Sequence, residues 1–298
     1  MKPKSNLKPI LFNTDMVTAL LNGTKAVTRR PLKPYNPIKS TRMGGYKQGD
    51  GLWVEKTDDI TYVKDYSFST CWYSLNEYIK RCSKYQIGDV LYVRETWKCH
   101  CARRFDANVD ILYKAGGKPK RIEFANGNID LANRDDYDVF ISKWFNHDKW
   151  IPSLHMPKEL ARIFLKITDV RLEPLQNITN DQAKTEGVNH LYDDLSDAEY
   201  DRWSKAVHIT TPKDQQHYRN YLWHGNFGKY GTGNKVSDNW PYQQSGYDDP
   251  KDSFSSLWNS TVPLKDWETY GWNANPYVWV IEFEPLTEDE IKQLLTNN

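Results

Sequence analysis

Residues 8–32 read KPILFNTDMVTALLNGTKAVTRRPL, and the order of residue types there decides how the chain begins to fold. Val17, Leu20 and Leu21 recur at helical spacing behind Thr14 and Asp15, and Gly23 stands where a helix ends on a left-handed residue. This pattern predicts a short strand, a capped helix over 13–22, a glycine stop and a polar, basic hairpin leg. The chain is therefore turned sharply just before Lys25. Beyond the turn, Gly23-x-Lys25-x-x-Thr28-x-Arg30 brings an amine, a hydroxyl and a guanidinium close together in sequence. Such groups suit the handling of an oxyanion or a nucleobase.

On a regular strand, residues an odd number of positions apart face opposite sides, so Lys25 and Thr28 could not meet if the whole segment were extended. They can meet if Lys25 lies in the irregular turn and the strand begins near Val27. Thr28 and Arg30 then share one face, and Arg29 looks the other way. A threonine hydroxyl needs a base within reach to become a nucleophile, and a lysine amine serves once its proton is gone. The neighbouring arginines favour that loss, because like charge lowers a lysine pKa. The plainer reading of the same stretch is a solvated basic turn before Pro31.

The chain has 298 residues and a net charge of +1 from 40 basic and 39 acidic side chains. Its length fits either two domains or one elaborated domain. No global field draws in polyanions, so any nucleic-acid contact is local or the ligand is small. Aromatic residues make up 14%, a density that serves core packing and, in some proteins, ligand sites. No apolar run has the length of a membrane span, and no signal-type segment follows the N-terminus, so a cytoplasmic protein without membrane contact is expected. Cys71, Cys82, Cys99 and Cys101 are too few for a disulfide framework. Cys99-His100-Cys101 lacks the usual zinc spacing, and neither metal nor cofactor is expected.

Further along, residues 34–85 are broken by Gly44, Gly45, Gly49 and Gly51 and read as an insertion of short strands or loops. The segment 87–97, IGDVLYVRETW, is a turn running into an alternating strand with Leu91 and Val93 on one side and Tyr92 and Arg94 on the other. Glu95 and Trp97 continue the Leu91 side unless the strand ends or bulges first, and Glu95 is a candidate polar group in a pocket. Strands are expected over 110–115 and 121–124, as a pair, and over 161–172. His155 lies in a proline-bounded loop, where a structural histidine is the commoner finding. Residues 178–188 form a short capped helix with Gly187 past its end, which leaves Glu186 in the last turn against the helix dipole. A cation such as Lys25 nearby would relieve it, although an exposed glutamate at a helix end is common enough to need no partner. Residues 189–250 turn rich in Tyr, Asp, Gly, Gln and Asn, the composition of a second insertion or lid. A helix carrying Phe254, Leu257 and Trp258, a strand over 276–284 and a final helix opened by the capping box Thr287-x-x-Glu290 close the chain.

With those residues in place, the chain resembles the ASCH-domain family of PUA-like β-barrels, in the long form common among bacteriophage proteins. The segments that carry the likeness are ILFNTDMVTALLNGTKAVTRR, IGDVLYVRETW, HMPKELARIFLKITDVRLEPLQNIT with AKTEGV, SFSSLWNST and NPYVWVIEFEPL. The resemblance implies an α+β fold: one elaborated domain over 1–298, built on a mixed β-barrel with short flanking helices and two large insertions, at about 35–86 and 189–250. Within that superfamily the small bacterial N4-acetylcytidine amidohydrolases are similar at G-x-K-x-x-T-x-R, although Ala26 stands where they have threonine. The likeness implies hydrolysis of an exocyclic amide on a modified cytosine nucleoside, with no metal or other cofactor. Its catalytic set would be Lys25, Thr28 and Glu186. Arg30, Arg29, Glu95, Trp97 and His155 are the candidates for holding substrate. The alternative is a PUA-like module that binds RNA or a modified base without cutting it, its rings stacking on an unpaired base.

Overall fold

The computed structural model describes residues 7–32, 52–56, 61–65, 73–124, 131–145, 149–190, 196–206, 218–219, 221 and 247–296. Most of the two expected insertions, including their glycine-rich stretches, lies outside those residues. In chain order the strands are β1 (Leu7–Leu11), β2 (Val27–Pro31), β3 (Leu52–Lys56), β4 (Thr61–Asp65), β5 (Tyr73–Ser74), β6 (Val90–Arg94), β7 (Trp97–Arg103), β8 (Asn108–Tyr113), β9 (Lys120–Glu123), β10 (Phe164–Pro174) and β11 (Tyr277–Pro285). The helices are α1 (Thr14–Leu21), α2 (Leu75–Cys82), α3 (Leu131–Trp144), α4 (Asn180–Thr185), α5 (Asp197–Ala206), α6 (Pro250–Thr261), α7 (Trp267–Tyr270) and α8 (Glu288–Thr296).

The fold is α+β. Among the described residues one sheet has five strands in the order β1-β6-β10-β11-β2, and two further sheets have three each, β3-β4-β5 and β7-β8-β9. The first is mixed, since β1 runs parallel to β6 while β10 is antiparallel to it. The expected barrel is not closed among the described residues: β1 and β2 are the outer strands of an open sheet. The question of where β6 stops is answered at Glu95. There β6 has ended, and from Trp97 the chain pairs instead with β8 and with Ile151, so Trp97 does not extend the Leu91 side of β6. A separate sheet starts there, so of the two outcomes the alternation left open the strand end is the one found.

The chain divides into two compact units, each assembled from distant segments. The first comprises 1–23, 85–169 and 282–298, and the second 24–84 and 170–281, with β10 and β11 contributing residues to both. In the first unit, alternation along β7 and β8 buries Trp97, Cys99, Val109, Ile111 and Tyr113 with Met156, Leu160 and Phe164. At about 1.5–3 kcal/mol for each fully buried large apolar side chain, this cluster is a main source of that unit's stability. Helix α1 starts at Asn13, whose side chain accepts from the Met16 N–H, and stops at Asn22, with Gly23 at φ +73°. It buries Val17 and Ala19 and leaves Leu21 exposed, so the helix is tucked in by a smaller face than its leucines suggest.

In the second unit, Val27, Leu175, Ile178, Ala183, Phe254, Leu257, Trp258, Val278 and Val280 form the core. Helix α6 enters it from a defined start: Asp249 caps the Lys251 N–H at 2.7 Å and Pro250 occupies the first turn, where its missing N–H costs nothing. Helix α4 is held to six residues by two local devices. Thr179 and Gln182 form a reciprocal capping box at its start, and Gly187 adopts φ +90° after its end. That short helix and the loop before β2 position the residues described next.

Candidate active site

A helix leaves its last carbonyls without partners, and a buried end must find donors elsewhere. For α4 the donors come from the turn that follows Gly23. The Ala26 N–H donates to the Thr185 carbonyl at 2.9 Å, and Lys25 Nζ donates to the Glu186 carbonyl at 2.7 Å. The same amine donates to Glu186 Oε2 at 2.8 Å and to the Val27 carbonyl at 2.8 Å. A lysine ammonium has three protons, and these bonds take all of them. The turn is irregular up to Ala26 and β2 begins at Val27, as the spacing predicts.

Glu186 is shared. Its other oxygen, Oε1, accepts from Arg29 Nη1 at 3.0 Å, while Arg29 Nη2 donates to Gln182 Oε1 at 2.8 Å. The Arg29 guanidinium also lies over the Phe254 ring, 5.9 Å from its centroid. Side-chain exposures of 0% for Lys25, 1% for Arg29 and 3% for Glu186 make this a buried charge cluster. An exposed ion pair contributes about 0–1 kcal/mol. Here removal of Glu186 would strand both cations away from water, which costs about 3–5 kcal/mol, whereas removal of either cation leaves the other paired with the carboxylate.

Lys25 is held below the ordinary lysine value, chiefly by burial, with Arg30 and Arg29 adding to the effect; Glu186 opposes it through charge and hydrogen bonding. The balance of these influences favours loss of the proton. Thr28 is buried in the strand between Lys25 and Arg29, and none of the three lysine bonds reaches it. Arg30 is half-buried on the same strand. Arg29 faces the carboxylate of Glu186 at the end of α4.

Glu95, Trp97 and His155 belong to the first unit. Glu95 is buried, and both its oxygens accept from Arg162, Nε to Oε1 and Nη2 to Oε2, each at 2.8 Å. The Arg162 guanidinium stacks on Tyr113 at 4.0 Å from the ring centroid and donates from Nη1 to the Gly116 carbonyl at 2.7 Å. Burial raises the Glu95 carboxyl and Arg162 opposes the rise. Trp97 is fully buried against Trp144, with ring centroids 5.5 Å apart. His155 is exposed in a short 3-10 turn, Ser153–His155.

Two residues escaped the sequence reading. Gln182 carries a visible signal, since Thr179-x-x-Gln182 is a capping-box pattern, but the same side-chain oxygen that accepts from the Thr179 N–H at 3.2 Å also accepts from Arg29, which no spacing shows. Arg162 stands just ahead of β10 with no signal of its own. Among the described residues no group of three or more His, Cys, Asp or Glu side chains is placed to hold a metal ion. No described helix is long and apolar enough to cross a membrane. Compared with known proteins, the chain matches no family model, no curated protein and no solved structure.

Proposed function

We propose that the protein is an amidohydrolase that cleaves the exocyclic N4-acyl amide of N4-acylcytidines, of the N4-acetylcytidine type, to cytidine and a carboxylate, on an ASCH-type, PUA-like scaffold. One observation carries this reading: Lys25 and Glu186, 161 positions apart, meet in a buried contact of 2.8 Å beside the strand that bears Thr28. In the working form Lys25 is a neutral amine, which frees one of its three bonding positions for a lone pair. Thr28 Oγ attacks the acyl carbon and its proton passes to Lys25. Arg30 or a backbone N–H of the turn stabilises the oxyanion. A proton moves from Lys25 through Glu186 to N4 as the C–N bond breaks, leaving an ester on Thr28. Water then adds to the ester, giving its proton to Lys25, and Thr28 recovers that proton as the acid departs.

The rival reading is a PUA-like module that binds RNA or a modified base without chemistry. One observation favours it: in the structure all three Lys25 donors are already engaged, as in a purely structural pin. The deciding experiment follows the absorbance change as N4-acetylcytidine becomes cytidine, with Lys25→Ala, Thr28→Ala and Glu186→Ala beside the parent. Turnover by the parent and its loss in each variant is the expected result. No turnover with several N4-acyl cytidines, together with salt-sensitive RNA binding, would establish the module instead.

A further inference from the structure

We propose that Arg29 is a positioning residue for this reaction: by holding Glu186 Oε1 it gives the carboxylate a partner that stays when Lys25 surrenders its proton. The inference rests on the amidohydrolase reading for its catalytic meaning, and on the geometry alone for its electrostatic content.

Glu186 is gripped from two sides, by Lys25 at Oε2 and by Arg29 at Oε1. Had Lys25 been the sole partner, its neutralisation would leave a lone carboxylate at 3% side-chain exposure, which the interior resists strongly. With Arg29 in place, deprotonation takes the trio from net +1 to a neutral Arg29–Glu186 pair. Arginine suits this role because its guanidinium stays charged throughout the relevant pH range. The fork is anchored, since Nη2 is fixed by Gln182, whose oxygen is itself held by the α4 capping box, and the plane lies over Phe254. So the cap of α4 and the protonation of Lys25 are mechanically linked.

Other charged groups stand on α4, α6, β10 and β2. On α4, Lys184 lies 3.8 Å from Asp181 on the surface. On α6, Asp249 caps its own helix and Lys251 Nζ donates to the Gln176 carbonyl; Asp252 lies in its first turn. On β10, Arg171 pairs with Glu173. Arg30, on β2, acts on Lys25 in the same sense as Arg29.

The test compares the parent with Arg29→Met and Arg29→Lys in two measurements. The 13Cε shift of Lys25 in lysine-labelled protein, assigned with Lys25→Met, gives the midpoint of its titration. The pH profile of kcat/KM on N4-acetylcytidine gives the acid-side midpoint of catalysis. In Arg29→Met the Lys25 midpoint is expected to rise by about one pH unit or more, a tenfold gain in proton affinity, and the catalytic midpoint to rise with it. Arg29→Lys keeps the charge and is expected to stay nearer the parent. A Lys25 midpoint that is unmoved or falls in Arg29→Met overturns the proposal, whatever the activity. A parent without turnover whose Lys25 midpoint still shifts in the variant removes the amidohydrolase reading and leaves the electrostatic role standing. Should Arg29→Met fail to fold by circular dichroism, Gln182→Met replaces it: loosening the fork should raise the same midpoint by less, and no rise would overturn the proposal.

Discussion

Replacing Arg162 with methionine should destabilise the first unit by about 3–5 kcal/mol, the cost of leaving a buried charge without its partner. The substitution keeps an apolar stem over Tyr113 but removes the two 2.8 Å bonds to Glu95 and the bond to the Gly116 carbonyl. Glu95 is left at 2% side-chain exposure, whereas an exposed pair would cost about 0–1 kcal/mol to break. Urea unfolding followed by circular dichroism measures the loss. The double variant Arg162→Met/Glu95→Leu should recover most of it, because an apolar pair of similar shape leaves no charge behind. The loss should also shrink at acid pH. Without Arg162, the Glu95 carboxyl in the folded state lies further above its unfolded value, the folded state binds more protons between the two, and stability therefore falls as pH rises across that window. A single variant within about 1 kcal/mol of the parent at neutral pH, or a double variant no better than the single one, would refute the idea of a buried clamp.

Glu186→Gln should destabilise more than Lys25→Met, because one carboxylate neutralises two buried cations while loss of Lys25 still leaves the Arg29–Glu186 pair; urea midpoints in the reverse order would contradict this. Gly116→Ala should cost about 1–2 kcal/mol for its φ of +79° alone, and Gly117→Ala more, since a Cβ there falls 2.5 Å from Arg162 Nη1; thermal unfolding of the two variants ranks them. The Cys99 thiol, pushed up to about 11 by burial, should resist iodoacetamide near pH 8 in the folded protein and react once urea unfolds it, as peptide mass spectrometry would read directly.

Much of the local structure was legible in the residues themselves. The glycine stop at Gly23, the strand start at Val27, the capped start of α4, the capping box at Thr287, and the apolar spacing of Phe254, Leu257 and Trp258 all rest on backbone geometry and side-chain chemistry within a few residues. The position of Glu186 at an unfavourable helix end was compatible with a nearby cation as well as with plain exposure, and the structure supplies the cation. The end of β6 before Glu95 was less legible, because the alternating pattern runs on through Trp97 while the backbone leaves for another sheet. Nor does a pattern of strands say whether a sheet closes, since closure depends on how the outer strands are paired.

The sequence by itself determined several local elements, among them α1, the start of β2, α4, α6 and β11, because propensity, capping and periodicity act over one or two turns of chain; α2 and α3 carried no such reading. Only the tertiary structure decided which charges share a buried partner. Arg29 and Arg30 are adjacent and chemically identical, yet Arg29 is locked to Glu186 and Gln182 from 157 and 153 positions away while Arg30 stays half-buried. Glu95 likewise found Arg162 across 67 positions. Such pairings follow from where the folded backbone brings α4 and β10, and the energy that enforces them is the cost of leaving any of those charges alone in a low-dielectric interior.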